Sequence, residues 1–202
     1  MDYRFTLSGG VPPAQSRIVV AVIAAAVWLS SCGLWPAMGE DSATTVEHKV
    51  KAGYLLNFAH FVDWPARAFA TTNTPFRIGI LGEDRFGRFL DRLVQDETVG
   101  GRPIVVLRSH RVSDLIGCQI LFISGSDKRV TDRALAALGD AATLTVSETE
   151  DFTDRGGMIN LFIEGNKVRF EINPGAVRRC GLEPRAQLLR LARIAGPEAG
   201  GR

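Results

Sequence analysis

The stretch from Gly157 to Ile172, GMINLFIEGNKVRFEI, constrains the fold more than any other part of the chain. Its two apolar runs are separated only by Glu164-Gly165-Asn166, and three residues containing glycine cannot carry a crossover, so the runs must pair as an antiparallel hairpin. In the second arm Val168, Phe170 and Ile172 alternate with Lys167, Arg169 and Glu171, the pattern of a strand with one buried face. The chain upstream has a different rhythm. FRIGIL (Phe76 to Leu81), PIVVLR (Pro103 to Arg108), CQILFIS (Cys118 to Ser124) and ATLTV (Ala142 to Val146) read as strands. The helical patterns GEDRFGRFLDRLV and DKRVTDRALAALG interrupt them, which implies crossovers and a parallel sheet. The expected fold is a single-domain α/β three-layer sandwich. Its sheet is mostly parallel, with helices on both faces and a C-terminal antiparallel hairpin at or near the edge.

The remaining elements follow from spacing and capping. VEHKVKAGYLLNFAHFVDWP places Val50, Tyr54, Leu55, Phe58, Phe61 and Val62 at helical intervals, with Pro65 as a stop. Phe86, Phe89, Leu90, Leu93 and Val94 form the inward side of the next helix. Ser126 is placed to cap DKRVTDRALAALG, and Gly139 to end it. Asn173 is placed to cap a short helix with Pro174 in its first turn and a stop at Gly181. A final helix carries Leu188, Leu189, Leu191, Ala192 and Ile194.

The N-terminus has another character. Arg4 and Arg17 precede the apolar run Ile18 to Leu29, which is shorter than the ~20 residues a membrane span needs and has the form of a secretory signal. Two exits are open. Ala37-Met38-Gly39 fits a small-x-small cleavage site, whereas Leu29-Ser30-Ser31-Cys32 has the form of a lipobox with Cys32 as the lipidated residue. The expected organisation is a signal peptide over 1–39, a flexible lead over 40–45, a folded domain over 46–195 and a disordered tail over 196–202. Export would leave Cys118 and Cys180 in a compartment that permits disulfides. A Cys118–Cys180 bridge and two buried free thiols are both open readings.

The chain carries 24 basic and 22 acidic residues, a net charge of +2, so it has no basic field for nucleic acid. ILGEDRFG follows a strand and enters a helix, but Glu83 and Asp84 stand where a phosphate would, and both the G-x-G-x-x-G spacing and the P-loop lysine are missing. Gly156-Gly157 precedes a strand rather than a helix, so its glycines serve unusual backbone angles or the close approach of a ligand. ISGSD is not a nucleophile elbow. His48, His60 and His110 stand far apart, and the two mature cysteines lack C-x-x-C spacing, a poor basis for zinc. Neither a catalytic site, nor a metal, nor a cofactor is expected.

Taken in order, VKAGYLLNFAHFVDWP, FRIGILGEDRFG, GRPIVV, CQILFIS, the F-x-x-x-G-G-M-I turn from Phe152 to Ile159, FEIN (Phe170 to Asn173) and GLEPRAQLLRLARI resemble the YfiR family of periplasmic proteins across residues 46 to 194. The resemblance implies a regulator rather than an enzyme. Such a protein binds the periplasmic sensor region of an inner-membrane diguanylate cyclase and holds it inactive, until envelope or redox stress lets cyclic-di-GMP and biofilm matrix rise. Family members are α/β proteins that can dimerise and carry disulfides; here only Cys180 is on hand as a partner for Cys118. The partner surface is expected to include Gly156, Gly157, Arg169, Glu171, Asn173 and the C-terminal helix. Trp64 is either core or the wall of a small ligand pocket. A competing reading is an envelope small-ligand-binding protein that serves a histidine kinase or a TonB-type receptor.

Overall fold

The computed structural model describes residues 40–125 and 127–196, with side chains from Val46 onward, and the fold is that of the unit spanning 41–202. The expected signal peptide over 1–39, the lipidation candidate Cys32, the Ser126 cap and the tail beyond Gly196 lie outside the described residues. The helices are α1 (Glu40–Phe61), α2 (Arg88–Val94), α3 (Lys128–Leu138), α4 (Pro174–Arg179) and α5 (Ala186–Leu191). The longer strands are β2 (Phe76–Leu81), β4 (Arg102–Ser109), β5 (Ile120–Ile123), β6 (Leu144–Ser147), β7 (Ile159–Glu164) and β8 (Lys167–Ile172). Four two-residue strands complete the set: β1 (Val62–Asp63), β3 (Thr98–Val99), β9 (Glu183–Pro184) and β10 (Arg193–Ile194).

Eight strands form one sheet in the order β10-β8-β7-β6-β5-β2-β4-β3, while β1 and β9 make a separate antiparallel pair. The centre is parallel throughout, from β4 through β2, β5 and β6 to β7. The β7–β8 hairpin is antiparallel over its full length. Central strands are buried on both faces, and every residue of β5 and β6 is inaccessible, as their unbroken apolar runs require. Even-numbered residues of β2 and β5, with Leu144 and Val146 of β6, meet α1 and α2 in the larger core cluster. The odd-numbered Leu81, Leu121 and Ile123 join Ala134 and Leu138 of α3 in a smaller one. The sheet thus carries apolar layers on its two sides, as the three-layer reading anticipates.

The inward stripe of α1 is Ala52, Leu55, Phe58, Ala59 and Val62. Small residues at 52 and 59 let the helix lie close to the sheet, and Tyr54 and Phe58 pack on Phe170 of the hairpin at ring separations of 5.4 and 5.3 Å. Each fully buried ring of this kind contributes about 1.5–3 kcal/mol. Val50, placed on the apolar stripe by spacing, is exposed, and Lys51 takes the inward position instead.

Most of the expected elements form, with instructive displacements. Residues 40–45, expected as a flexible lead, are the first turns of α1. The cap of α3 is Asp127, whose carboxylate accepts the N–H of Arg129 at 2.9 Å; Gly139 ends that helix at φ 52°. The hairpin loop is two residues long rather than three. Gly165 and Asn166 both take positive φ, 55° and 60°, the pattern of a type I′ turn, so Glu164 joins β7 and pairs with Lys167. The last helix stops at Leu191, and Arg193 and Ile194 run parallel to Glu171 and Ile172 as an added edge. The free edge of β8 draws them there, since Ala195 N–H reaches Ile172 O at 2.8 Å.

The connection from β6 to β7 is the unusual one. A parallel crossover commonly uses a helix, yet residues 148–158 contain only turns. Phe152, fully buried in the smaller cluster, fills the place a crossover helix would take. Its ring lies against Gly157, where a Cβ would come within 2.4 Å of the ring carbons. Gly156 takes φ 94°, so the two glycines answer different demands: backbone angle at the first, close approach at the second. Gly157→Ala is therefore expected to destabilise the fold by about 1–3 kcal/mol and to lower Tm by several degrees. Pairing it with Phe152→Leu should give a loss smaller than the sum of the two single losses. Additive losses in thermal or urea unfolding would disprove the contact.

The two cysteines are not bridged. Cys118 and Cys180 are free and buried, one in each core cluster, which replaces the disulfide reading with the two-thiol one. Burial raises both pKa values, that of Cys118 to about 11, so at neutral pH each is an inert thiol. In a Cys32→Ser chain, both should react with a thiol reagent in denaturant and hardly at all in the native state. Dithiothreitol should leave the non-reducing gel mobility unchanged; a shift would reinstate the bridge.

Candidate functional site

The residues singled out from the sequence divide into an internal and an external set. Asn173 is 3% exposed. Its Oδ1 accepts the N–H of Ala176 and so caps α4 at 2.9 Å, while its Nδ2 donates to Thr153 O at 3.0 Å. Its own N–H reaches Met158 O at 2.8 Å. One side chain thus ties the β6–β7 turn, the end of β8 and the start of α4 together. Gly157 is buried under Phe152. Neither residue is placed to meet a partner, and the FEIN asparagine and the second glycine are structural.

Glu171 and Arg169 point to the opposite face of β8 from Val168 and Phe170. Glu171 Oε1 accepts from Thr153 Oγ1 at 2.8 Å and from Asn160 Nδ2 at 3.3 Å. Arg169 is exposed, with Nε 4.0 Å from Glu164 Oε2. Arg193 pairs with Glu164 at 2.7 Å and lies over the Phe162 ring, 4.5 Å from its centroid.

Glu171, Asn160, Phe162 and Arg193, but not Arg169, border a cleft of about 560 Å³ at the carboxyl end of the parallel strands, where open α/β sheets commonly take their ligands. The cleft exists because β6 ends at Ser147 while β7 continues to Glu164, and only Val146↔Ile159 and Ser147↔Asn160 join them. Its walls come from α1 (Glu47, Lys51), from the turn after β6 (Glu148, Glu150, Asp151, Asp154) and from the hairpin. The turn after β6 is held by hydroxyls: Ser147 Oγ donates to Ile123 O at 3.0 Å and Thr149 Oγ1 to Gly125 O at 2.9 Å. Lys51, 3% exposed, reaches Glu148 Oε2 at 3.0 Å and also pairs with Glu47, so its charge is neutralised where it is desolvated.

Sequence reasoning missed Lys51, Thr153 and Asn160. Lys51 left a signal, since it stands four residues before Leu55 and seven before Phe58 on an otherwise apolar stripe. Asn160 interrupts the apolar run of β7 in the same way. Thr153 left none.

Trp64 lies elsewhere. It packs edge-on against Phe76 at 5.0 Å, and its indole N–H donates to Ala59 O at 3.1 Å. It also borders a second cleft of about 320 Å³ with Phe69, Arg102 and Arg185, so it is shared between core and surface. The structure does not bring it together with the hairpin residues around the larger cleft.

The strand-to-helix turn after β2 is closed by its own acid. Asp84 Oδ1 accepts the N–H groups of Phe86 and Gly87 at 2.8 and 3.1 Å, and Oδ2 takes Arg108 Nε at 2.6 Å. Burial works against ionisation here, but the Arg108 and backbone hydrogen bonds hold the Asp84 carboxyl below its usual range. The donors a phosphate would need are occupied by a carboxylate. Among the described residues, no group of three or more His, Cys, Asp and Glu side chains could hold a metal ion, and no helix is long and apolar enough to cross a membrane.

The chain matches the YfiR/HmsC-like family over residues 48–193. The match runs from His48 in α1 to Arg193 in β10, and so takes in the Phe152–Gly157 turn, the Asn173 tie and all of the cleft lining but Glu47. With well over half its length covered, the chain belongs to the YfiR/HmsC-like family.

Proposed function

We propose that this protein is an exported regulatory binding protein. It inhibits an inner-membrane diguanylate cyclase by engaging the cyclase's periplasmic region, which keeps cyclic-di-GMP and biofilm formation low until envelope stress releases it. The observation that carries this reading is membership of the YfiR/HmsC-like family across residues 48–193. The site chemistry is in keeping with binding rather than turnover. The carboxylates around the larger cleft face no nucleophile with a base and an orienting group, and the buried hydroxyls and Asn173 are engaged in holding the turn.

Deletion of the gene is expected to raise cyclic-di-GMP and surface attachment. Restoring the full chain should reverse both, whereas a copy without residues 1–39, held in the cytoplasm, should not. An unchanged cyclic-di-GMP level on deletion would overturn the inhibitor reading.

The external face of the hairpin offers a narrower test. Arg169 is exposed and its only ion pair among the described residues is long, so Arg169→Glu should shift stability by less than about 1 kcal/mol. If this face grips the cyclase, the variant should fold normally yet fail to lower cyclic-di-GMP in the deletion strain; full complementation would place the contact elsewhere.

A further inference from the structure

We propose that the cleft between β7 and the turn after β6 is a docking groove for an extended, basic segment of a protein partner, which adds as a strand to the free edge of β7. The assignment rests on the chain's being a binding protein and names the chemistry of its grip. Three independent features of the cleft point to it.

The first is backbone. The two-residue turn makes Glu164 and Lys167 the closing pair of the hairpin, so the bonding pairs with β8 recur at Phe162↔Arg169 and Asn160↔Glu171. The N–H and C=O of Leu161 and Ile163 therefore point away from β8, toward the cleft. On that side β6 has already ended, and among the described residues no strand pairs with Leu161–Glu164 there. An unpaired edge at the rim of an otherwise complete sheet is a template for strand addition. Four residues of it run for about 13 Å.

The second is an unmet hydrogen bond. Asn160 lines the cleft and is 7% exposed. Its Nδ2 serves Glu171, but its Oδ1 is the one buried side-chain polar atom without a partner among the described residues. A buried acceptor of this kind calls for an N–H or O–H donor.

The third is charge. Six carboxylates line the cleft against two cations, and both cations are already engaged, Lys51 with Glu47 and Glu148 and Arg193 with Glu164. Asp151 has Lys128 at 3.0 Å. Glu150 and Asp154, both exposed, have no cation within ion-pair distance among the described residues. A donor-rich cation fits both the field and Asn160, and the free strand edge makes that cation the side chain of an extended peptide.

The test uses the mature chain, residues 40–202, and a fluorescein-labelled peptide of alternating arginine, valine and lysine, read by anisotropy. Saturable binding is expected, weakening with salt. It should fall at least tenfold when alternate peptide nitrogens are methylated, when the basic residues are replaced by glutamate, or when the protein carries Glu150→Lys with Asp154→Lys. Those two positions are exposed, so the variant should fold, and Asn160→Leu supplies a second check on the donor. Amide NMR shifts should centre on Leu161 and Ile163. Undiminished binding of the methylated peptide, or full competition by spermidine, would overturn the proposal in favour of a small-cation site. Absence of saturable binding would overturn it outright. The readout is a peptide affinity, so its failure leaves the cyclic-di-GMP test standing, and failure of that test leaves this one intact.

Discussion

The contact between the Phe152 ring and the bare α-carbon of Gly157 is the constraint on which the rest of the molecule depends. A parallel β6–β7 pair demands that the chain leave the top of one strand and re-enter at the bottom of the next. The connection here is too short and too rich in turns for a helix. A single aromatic ring supplies the missing apolar layer by packing into the smaller core cluster, and it can do so only because position 157 lacks a Cβ. The F-x-x-x-G-G spacing is thus a packing device.

From that turn the polar framework follows. Once residues 152–158 are folded, Thr153 O meets Asn173 Nδ2 and Thr153 Oγ1 meets Glu171, so the C-terminal end of β8 is held twice to the same turn. Met158 N–H on Thr145 Oγ1, at 3.1 Å, closes the loop back onto β6. This explains why a glycine pair and the FEIN close occur together in sequence. Gly157 and Asn173 are two halves of one buried joint, and neither is surface in the sense a partner would recognise.

The parallel sheet and its antiparallel hairpin were legible because they rest on periodicity and loop length, which need only local sequence. Val168, Phe170 and Ile172 had to face inward, and the apolar runs upstream, alternating with helical patterns, had to form a parallel sheet. What escaped were the Asp127 cap of α3 and choices made by tertiary demand. Arg193 and Ile194 read as the continuation of a helix until the open edge of β8 offered them hydrogen bonds. Asn173 was correctly read as a cap, but its burial could not be, because it comes from a turn 20 residues earlier. Cys118 and Cys180 looked pairable only while nothing separated them; the two core clusters do.

The cleft shows the same limit from the other side. A net charge of +2 over the whole chain describes an average and carries no information about the field at one place. Where β7 outruns β6, the carboxylates of the turn converge with Glu47 and Glu171 around a strand edge, and their repulsion is only partly relieved by Lys51. That lysine is drawn into the protein because two of these carboxylates reach it. Its burial on an apolar helix stripe is therefore a consequence of the acidic cleft rather than an accident of packing. The ends of strands that the sheet cannot continue are also where unpaired backbone, an orphaned amide oxygen and uncompensated charge collect. Binding can satisfy all three at once only with a ligand that carries backbone and positive charge together.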